Sequence, residues 1–243
     1  MRVAALYDVH GNLPALEAVL AELATEAVDA VVVGGDALAG PFPVETLRRL
    51  QLIDLPLHFV RGNADRELVE GGGRAPAEIA SWLAGRVDDP IKDLLAAWPE
   101  RIALDVDGLG PTLFCHATAR NDEEIFTELT PDGIVSEMFA GVDERVAVVG
   151  HTHMQVDRRV GDRRIVNAGS VGLPYEGRAG AYWALLGDDV SFRRTEYDVD
   201  EFASRARETG FPDADDFLRE SLLEPATRRT VAEFFEGVAG RHT

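Results

Sequence analysis

Three short apolar runs, Val3–Tyr7, Ala30–Val33 and Leu57–Val60, constrain this chain more than any other feature. Amphipathic stretches separate them, Leu13–Glu26 and Pro43–Leu52, the second with a proline near its first turn. The wholly apolar run Ala30–Val33 suits a strand buried on both faces, and the alternation predicts βαβαβ with parallel strands and right-handed crossovers. Each run stops at a polar cluster: Asp8-Val9-His10-Gly11-Asn12, Gly34-Gly35-Asp36 and Arg61-Gly62-Asn63. Open α/β sheets bind ligands beyond the carboxyl ends of their strands, so Asp8, Asp36 and Asn63 are expected side by side at one sheet edge.

The rest of the chain continues the alternation less regularly. Ile79, Trp82, Leu83, Leu94, Leu95 and Trp98 suit two short helices after the Gly71-Gly72-Gly73 loop. Arg101–Asp105 and Pro111–Cys115 read as strands joined by a turn at Asp107-Gly108, the second ending at His116. Residues 119–130 read as an acidic loop and Pro131–Phe139 as a short helix. Val146–Val149 is an apolar strand ending at Gly150-His151-Thr152-His153. Asp157–Val160, Arg163–Asn167, Ala181–Leu186 and Asp189–Tyr197 suggest consecutive antiparallel hairpins, with turns at Gly161-Asp162 and Gly187-Asp188. From 199 to 243 the pattern turns helical (Val199–Glu208, Asp213–Leu223, Ala226–Val238). Phe202, Phe217, Leu218, Phe234 and Phe235 there need a surface to cover. The expected organisation is a main domain over 1–198 and a helical extension over 199–243 packed on it.

Composition narrows the function classes. A net charge of −19 repels nucleic-acid polymers and anionic membranes at long range. It leaves anionic small molecules open, because bound dications dominate the field inside a site. The lone cysteine, Cys115, allows no intrachain disulfide and reads as a buried strand residue. No stretch approaches the roughly 18–20 apolar residues of a membrane span. The first apolar run breaks at Asp8, too early for a signal-peptide core, so the expected location is the cytoplasm.

Four of the six histidines fall at strand ends or in tight loops: His10, His116, His151 and His153. The other two have plainer readings, His58 as packing and His242 as a terminal solvated residue. Residues two apart on an extended chain point to the same side, so Asp8 with His10, and His151 with His153, can each converge on one ion. Carboxylate with imidazole suits zinc, manganese or iron. Taken singly, Gly35-Asp36 and Gly62-Asn63 are equally turns or caps. Their joint recurrence at successive strand ends is what points to a metal site.

Asp8-x-His10, Gly35-Asp36, Gly62-Asn63, His116 and Gly150-His151-x-His153 resemble the five motif blocks of the calcineurin-like metallophosphoesterases, over roughly residues 1–198. The segments from Asp8 to Leu16, Val166-Asn167-Ala168-Gly169-Ser170-Val171-Gly172 and Arg194-Thr195-Glu196-Tyr197-Asp198 are similar to the small bacterial phosphodiesterase branch. The resemblance implies a four-layer α/β/β/α sandwich with the C-terminal helical extension added. It implies two divalent metal ions (Mn, Fe, Zn or Ni), with a metal-bridging hydroxide as nucleophile. Asp8, His10, Asp36 and His153 would hold the first ion and Asn63, His116 and His151 the second, with Asp36 bridging. Asn12 would donate its amide to a phosphate oxygen, or close an Asx turn. Many family members carry a histidine where this chain has Ala64, which neither donates a proton nor binds an anion. Arg66, Arg120 and Arg178 are candidate replacements.

The function expected is hydrolysis of a small phosphodiester, with small or cyclic nucleotides in view. Phe42, Tyr175 and the loop Arg120–Thr130 are candidate contacts to a base or aryl group, with packing an equal alternative. The alternatives are a phosphomonoesterase or nucleotide phosphatase, and a non-catalytic scaffold, for which the retromer subunit of this fold is the precedent. The acidic balance and the lack of a basic patch disfavour a DNA nuclease. No membrane partner is expected, and a homo-oligomer stays open.

Overall fold

The structure, a computed structural model, describes residues 1–212, 214–223 and 225–241, without the side chains of 216, 217, 220 and 221. The expectations placed on the Phe217 side chain and on His242 lie outside the described residues.

Two five-stranded sheets stack face to face. The first sheet is built from β1 (Val3–Leu6), β2 (Ala30–Val33), β3 (Leu57–Phe59), β9 (Ala181–Leu186) and β10 (Val190–Thr195), in the order β10-β9-β1-β2-β3. Its β1, β2 and β3 are parallel, with α1 (Leu13–Leu23) and α2 (Pro43–Gln51) as crossovers. The second contains β4 (Arg101–Val106), β5 (Gly110–Cys115), β6 (Val146–Val149), β7 (Gln155–Val160) and β8 (Arg163–Ala168), in the order β4-β5-β6-β8-β7. The hairpins β7/β8 and β9/β10 are antiparallel, as expected. The two hairpins do not form one meander: β8 pairs parallel with β6, whereas β9 crosses to the other sheet and pairs antiparallel with β1.

Alternation along β1 builds the layers. Ala4 and Leu6 face a core made with α1, α2 and α5 (Asp89–Ala96), including Leu16, Leu50, Leu95 and Trp98. Val3, Ala5 and Tyr7 face the opposite way, into a core shared with Phe114, Val148 and Val166 of the second sheet. The Tyr7 hydroxyl donates to the Val148 carbonyl at 2.9 Å across that interface. A third core lies between the second sheet and α6 (Asp132–Met138), where Cys115, Val149, Val135 and Phe139 meet. Three cores between four layers give the α/β/β/α sandwich. Among the described residues no helix is long and apolar enough to cross a membrane.

Two helices that follow β3 matter for the site. The chain forms α3 (Asn63–Glu70) directly after β3, where no helix is expected from the sequence, and then α4 (Ala77–Ala84). The region after 198 forms α7 (Val199–Glu208), α8 (Ala214–Leu218), a wider helical turn over Arg219–Leu223, and α9 (Arg228–Val238). Phe202 and Leu218 are buried against Leu13 and Phe42. Of the two readings of Phe42, base contact or packing, the structure places it in packing, with its ring 6.1 Å from that of Phe202. Val231 and Ala232 of α9 cover Met154, while Phe234 stays 66% exposed instead of covering a surface. Buried Glu236 fastens α9, accepting from the hydroxyls of Thr127 (2.7 Å) and Thr130 and from Arg241 Nε (2.6 Å).

Candidate metal centre

The loops that follow β1, β2 and β6 turn sharply in the left-handed region. Among the described residues five non-glycine residues have positive φ: Asp8 (53°), His10 (46°), Asp36 (51°), His151 (68°) and His153 (57°). Asp and His tolerate this conformation better than most residues, yet it costs of order 1–2 kcal/mol each. All five belong to the strand-end constellation. Strain concentrated this way marks a site the fold maintains for something other than stability.

The side chains converge. Asp8, His10 and His153 bring one ligand atom each within 4.8 Å of one another, and Asp36, His116 and His151 do the same. Asn63, the first residue of α3, places Oδ1 3.1 Å from His116 Nε2. Three imidazoles are oriented alike. Nδ1 of His10, His116 and His153 lies 3.1, 3.0 and 2.7 Å from the carbonyls of Ala39, Gly34 and Leu173. Donation from Nδ1 leaves Nε2 as the inward lone pair, the arrangement by which backbone carbonyls orient metal-bound histidines.

Both carboxylates divide their oxygens the same way. Asp8 Oδ2 accepts from the backbone N–H of His151 at 3.0 Å, and Asp36 Oδ1 from that of Ala64 at 2.8 Å. The other oxygens face the histidines. Asp36 Oδ2 lies 3.8 Å from His10 Nε2 and 3.4 Å from His116 Nε2, so this one oxygen reaches both groups. Asp8 Oδ1 lies 3.3 Å from His153 Nε2, is buried, and has no hydrogen-bond partner among the described residues. An orphaned carboxylate oxygen amid imidazole lone pairs is a donor set whose chemistry suits divalent cations.

The electrostatics agree. Burial works against charge on Asp36, but His116, His10 and His151 outweigh it and hold its carboxyl far below the usual range. Burial likewise opposes charge on Asp8, and His153 and His116 prevail, lowering it. For His116, burial is overcome by Asp36 and Asp8, and the imidazole is pushed up to about 10. His151 is pushed down to about 4, by burial and then by His116. The buried carboxylates demand positive charge, and a proton on His116 meets part of that demand when no ion is bound.

A frame invisible to the sequence reading holds these loops. Asp65 is fully buried and accepts from the backbone N–H groups of Asp36 (2.7 Å), Ala37 (3.1 Å) and Gly62 (3.1 Å). Burial and then the Asp36 charge push its carboxyl up to about 7. The only sequence signal was its position two residues after Asn63 at a helix start, where a carboxylate can reach back as a cap. Gly62 and Gly150 are required by close approach: an added Cβ would lie 2.2 Å from Asp36 Oδ1 and 2.4 Å from Asp8 Oδ2.

Asn12 sits at the α1 N-cap, where Oδ1 accepts from the Ala15 N–H at 3.1 Å. Its amide donates to Gly172 O (3.0 Å) and the Tyr197 hydroxyl (2.9 Å), so both hydrogens serve the fold. The structure thus places Asn12 in the turn-and-cap arrangement, with no donor left for a phosphate oxygen. Ser170 is likewise structural, its hydroxyl donating to the Asp8 carbonyl at 2.8 Å. The three arginines are engaged with acids: Arg66 with Asp122 and Glu123, Arg120 with Glu124, Arg178 with Glu196. Tyr175 stacks on His153 with ring centroids 5.0 Å apart. Burial pushes the Cys115 thiol up to about 12, in keeping with a core residue.

Comparison with known proteins gives this geometry a family. The model of the calcineurin-like phosphoesterase superfamily domain matches residues 1–187. An uncharacterized protein of Methanocaldococcus jannaschii is 26% identical over 220 residues, covering 81% of this chain and 88% of the relative. The crystal structure of a metallophosphoesterase from Sphaerobacter thermophilus is similar at 26% identity and a TM-score of 0.74, covering 90% of this chain and 96% of that one. A hypothetical protein of Pyrococcus horikoshii OT3 shares the fold at 18% identity and a TM-score of 0.79, covering 93% of this chain and 99% of that one. With the family model spanning nine of the ten described strands and every strand-end ligand candidate, the chain belongs to the calcineurin-like phosphoesterase superfamily.

Proposed function

We propose that this protein hydrolyses phosphodiesters at a dinuclear metal centre. Asp8, His10, Asp36 and His153 would hold one ion and Asp36, Asn63, His116 and His151 the other. The observation that carries the reading is the pairing of the carboxylates, each with one oxygen tied to a backbone N–H and one directed at the histidines. Asp36 would be the residue shared by the two ions, its Oδ1 also accepting from the Ala64 N–H. Bound divalent ions supply Lewis acidity that activates water and neutralises charge on phosphoryl oxygens. Manganese, iron, zinc and nickel all suit these nitrogen and oxygen donors.

The chain's own groups orient and shield. Backbone carbonyls fix three imidazoles, and Asp65 fixes the loop carrying Asp36. In the overall reaction water attacks phosphorus, one P–O ester bond breaks, and a phosphomonoester and an alcohol leave. A diester has two substituents, and two clefts flank α3. A polar one of about 250 Å³ is lined by His116, Arg66, Arg101 and Arg120. An apolar one of about 290 Å³ reaches Ala64 and Ala39 on the other side. Room on both sides supports a diester over a monoester.

The test is hydrolysis of matched aryl phosphodiesters and phosphomonoesters by the manganese-loaded protein. Preference for the diester is expected. Preference for the monoester would make the protein a phosphatase, and metal binding without turnover of either would favour a scaffold. Ala64 adds a second expectation, because it leaves the site without an acid at that position. Ala64→His should raise turnover of dimethyl phosphate, an alkyl diester whose arms are too small to need the space beside residue 64, toward the roughly 10²-fold that a positioned acid contributes, with little gain on aryl esters whose leaving groups need no proton. No gain on dimethyl phosphate would mean that another donor already acts.

A further inference from the structure

The apolar cleft between α3, α4 and α5 is not used by any of the residues proposed to hold metal. Its wall includes Ala39, Ala64, Leu68, Ala80 and Leu83, and its volume of about 290 Å³ is near the lower end of the roughly 300–1,000 Å³ typical of small-molecule sites. Leu83 is buried, Leu68 and Ala80 are half-buried, and Gly71 and Gly72 at the rim have open space where a Cβ would sit. The charged groups Glu67, Glu70 and Lys92 also border it.

Two wall residues connect this cleft to the candidate metal centre. The backbone N–H of Ala64 donates to Asp36 Oδ1 at 2.8 Å, and the carbonyl of Ala39 lies 3.1 Å from His10 Nδ1. Ala64 also directly follows Asn63, whose Oδ1 faces His116. The cleft therefore begins one residue from Asn63 at the start of α3 and, at Ala39 on the loop after β2, one hydrogen bond from His10. An alanine at 64 leaves its inner end open, where a larger side chain would fill it. The cleft on the other side of α3 is lined by arginines, His116 and Asn121, so the two sides of the site differ sharply in polarity.

Resting on the phosphoesterase reading, we propose that the cleft of Leu68, Ala80 and Leu83 is a specificity pocket for one apolar arm of the substrate. The substrate class is an asymmetric phosphodiester, with an aryl or branched-alkyl ester group seated between α3 and α4 and a polar group on the His116 side. An apolar wall selects such an arm by removing its surface from water, and it gives nothing to a methyl group too small to reach it.

The experiment uses the manganese-loaded protein and methyl esters of phosphoric acid whose second arm grows from methyl through isobutyl to phenylethyl. All of these are alkyl esters, so leaving-group acidity changes little along the series. A rise of roughly tenfold or more in kcat/KM along the series is expected. Ala80→Phe, which fills the pocket, should flatten that rise while metal content stays at the wild-type level. Calorimetric binding of a non-hydrolysable phenylethyl phosphonate supplies a readout independent of turnover. It should show a negative heat-capacity change that Ala80→Phe reduces. A flat series in the wild-type protein, or phosphonate binding equal in wild type and Ala80→Phe, overturns the pocket. No turnover of any ester, with phosphonate binding that Ala80→Phe still weakens, would instead overturn the phosphoesterase reading and keep the pocket.

Discussion

Asp36→Asn is expected to abolish turnover and to strip metal from both halves of the site. Its Oδ2 is the carboxylate oxygen within 3.8 Å of His10 Nε2 and 3.4 Å of His116 Nε2. Asparagine keeps the shape and removes the charge. A neutral carbonyl oxygen is a poor bridge between two cations, and an amide nitrogen at the same place would repel them. Loss of a group that merely orients a ligand commonly costs 10–100-fold in metal affinity or activity, so losing the shared ligand should cost more than about 100-fold. Metal analysis after gel filtration, together with turnover of an aryl diester, checks this. Because Oδ1 accepts only one backbone N–H, the fold should persist, and the circular dichroism spectrum should match the wild type. A variant that retained two ions and near-normal turnover would remove Asp36 from the centre.

Asp65→Ala should have the largest effect on stability of any change near the site. The carboxylate accepts from three backbone N–H groups belonging to two different loops. Removing it leaves those donors buried, each at about 1–3 kcal/mol. Even the low end of that sum is a serious fraction of a typical 5–15 kcal/mol total stability. Asp65→Asn should fall between the two, because one amide oxygen can still serve the pair of donors now shared by Oδ2. Thermal unfolding should rank wild type, Asn and Ala in that order. Metal affinity should follow the same ranking, since the loop carrying Asp36 loses its fixed shape. Equal melting temperatures for wild type and the alanine variant would show that the frame is carried elsewhere.

These two residues also show what the sequence could and could not reveal. Asp36 was legible because a buried strand must end where its apolar run ends, and ligands of parallel strands gather at that edge. The same logic located His116 after β5 and the His151-x-His153 pair after β6. Asp65 was not legible, because its three partners are backbone groups brought together only when the loops after β2 and β3 meet. The helix α3 escaped for a local reason. It has Gly62 at its N-cap, which offers no side chain to cap with, and Leu68 and Val69 as its sole large apolar residues. Nor could periodicity show that β9 leaves the hairpin series to pair with β1, because strand pairing between distant segments leaves no local pattern. For Asn12 the cap was readable from its place before α1. Its bond to Tyr197, far along the chain, was not.

The left-handed residues tie fold to chemistry. Five strained positions at roughly 1–2 kcal/mol each would consume much of a domain's net stability if nothing offset them. Three packed cores on the two faces of each sheet provide that offset, and bound cations would add to it by mass action.

The most direct measurement is the metal content of the protein after reconstitution with manganese and removal of free ion, set beside its melting temperature with and without the metal. Two ions per chain and a raised melting temperature are predicted, with Asp36→Asn failing to retain either ion. A chain that binds no metal under these conditions, and whose melting temperature does not respond to it, would contradict the dinuclear centre.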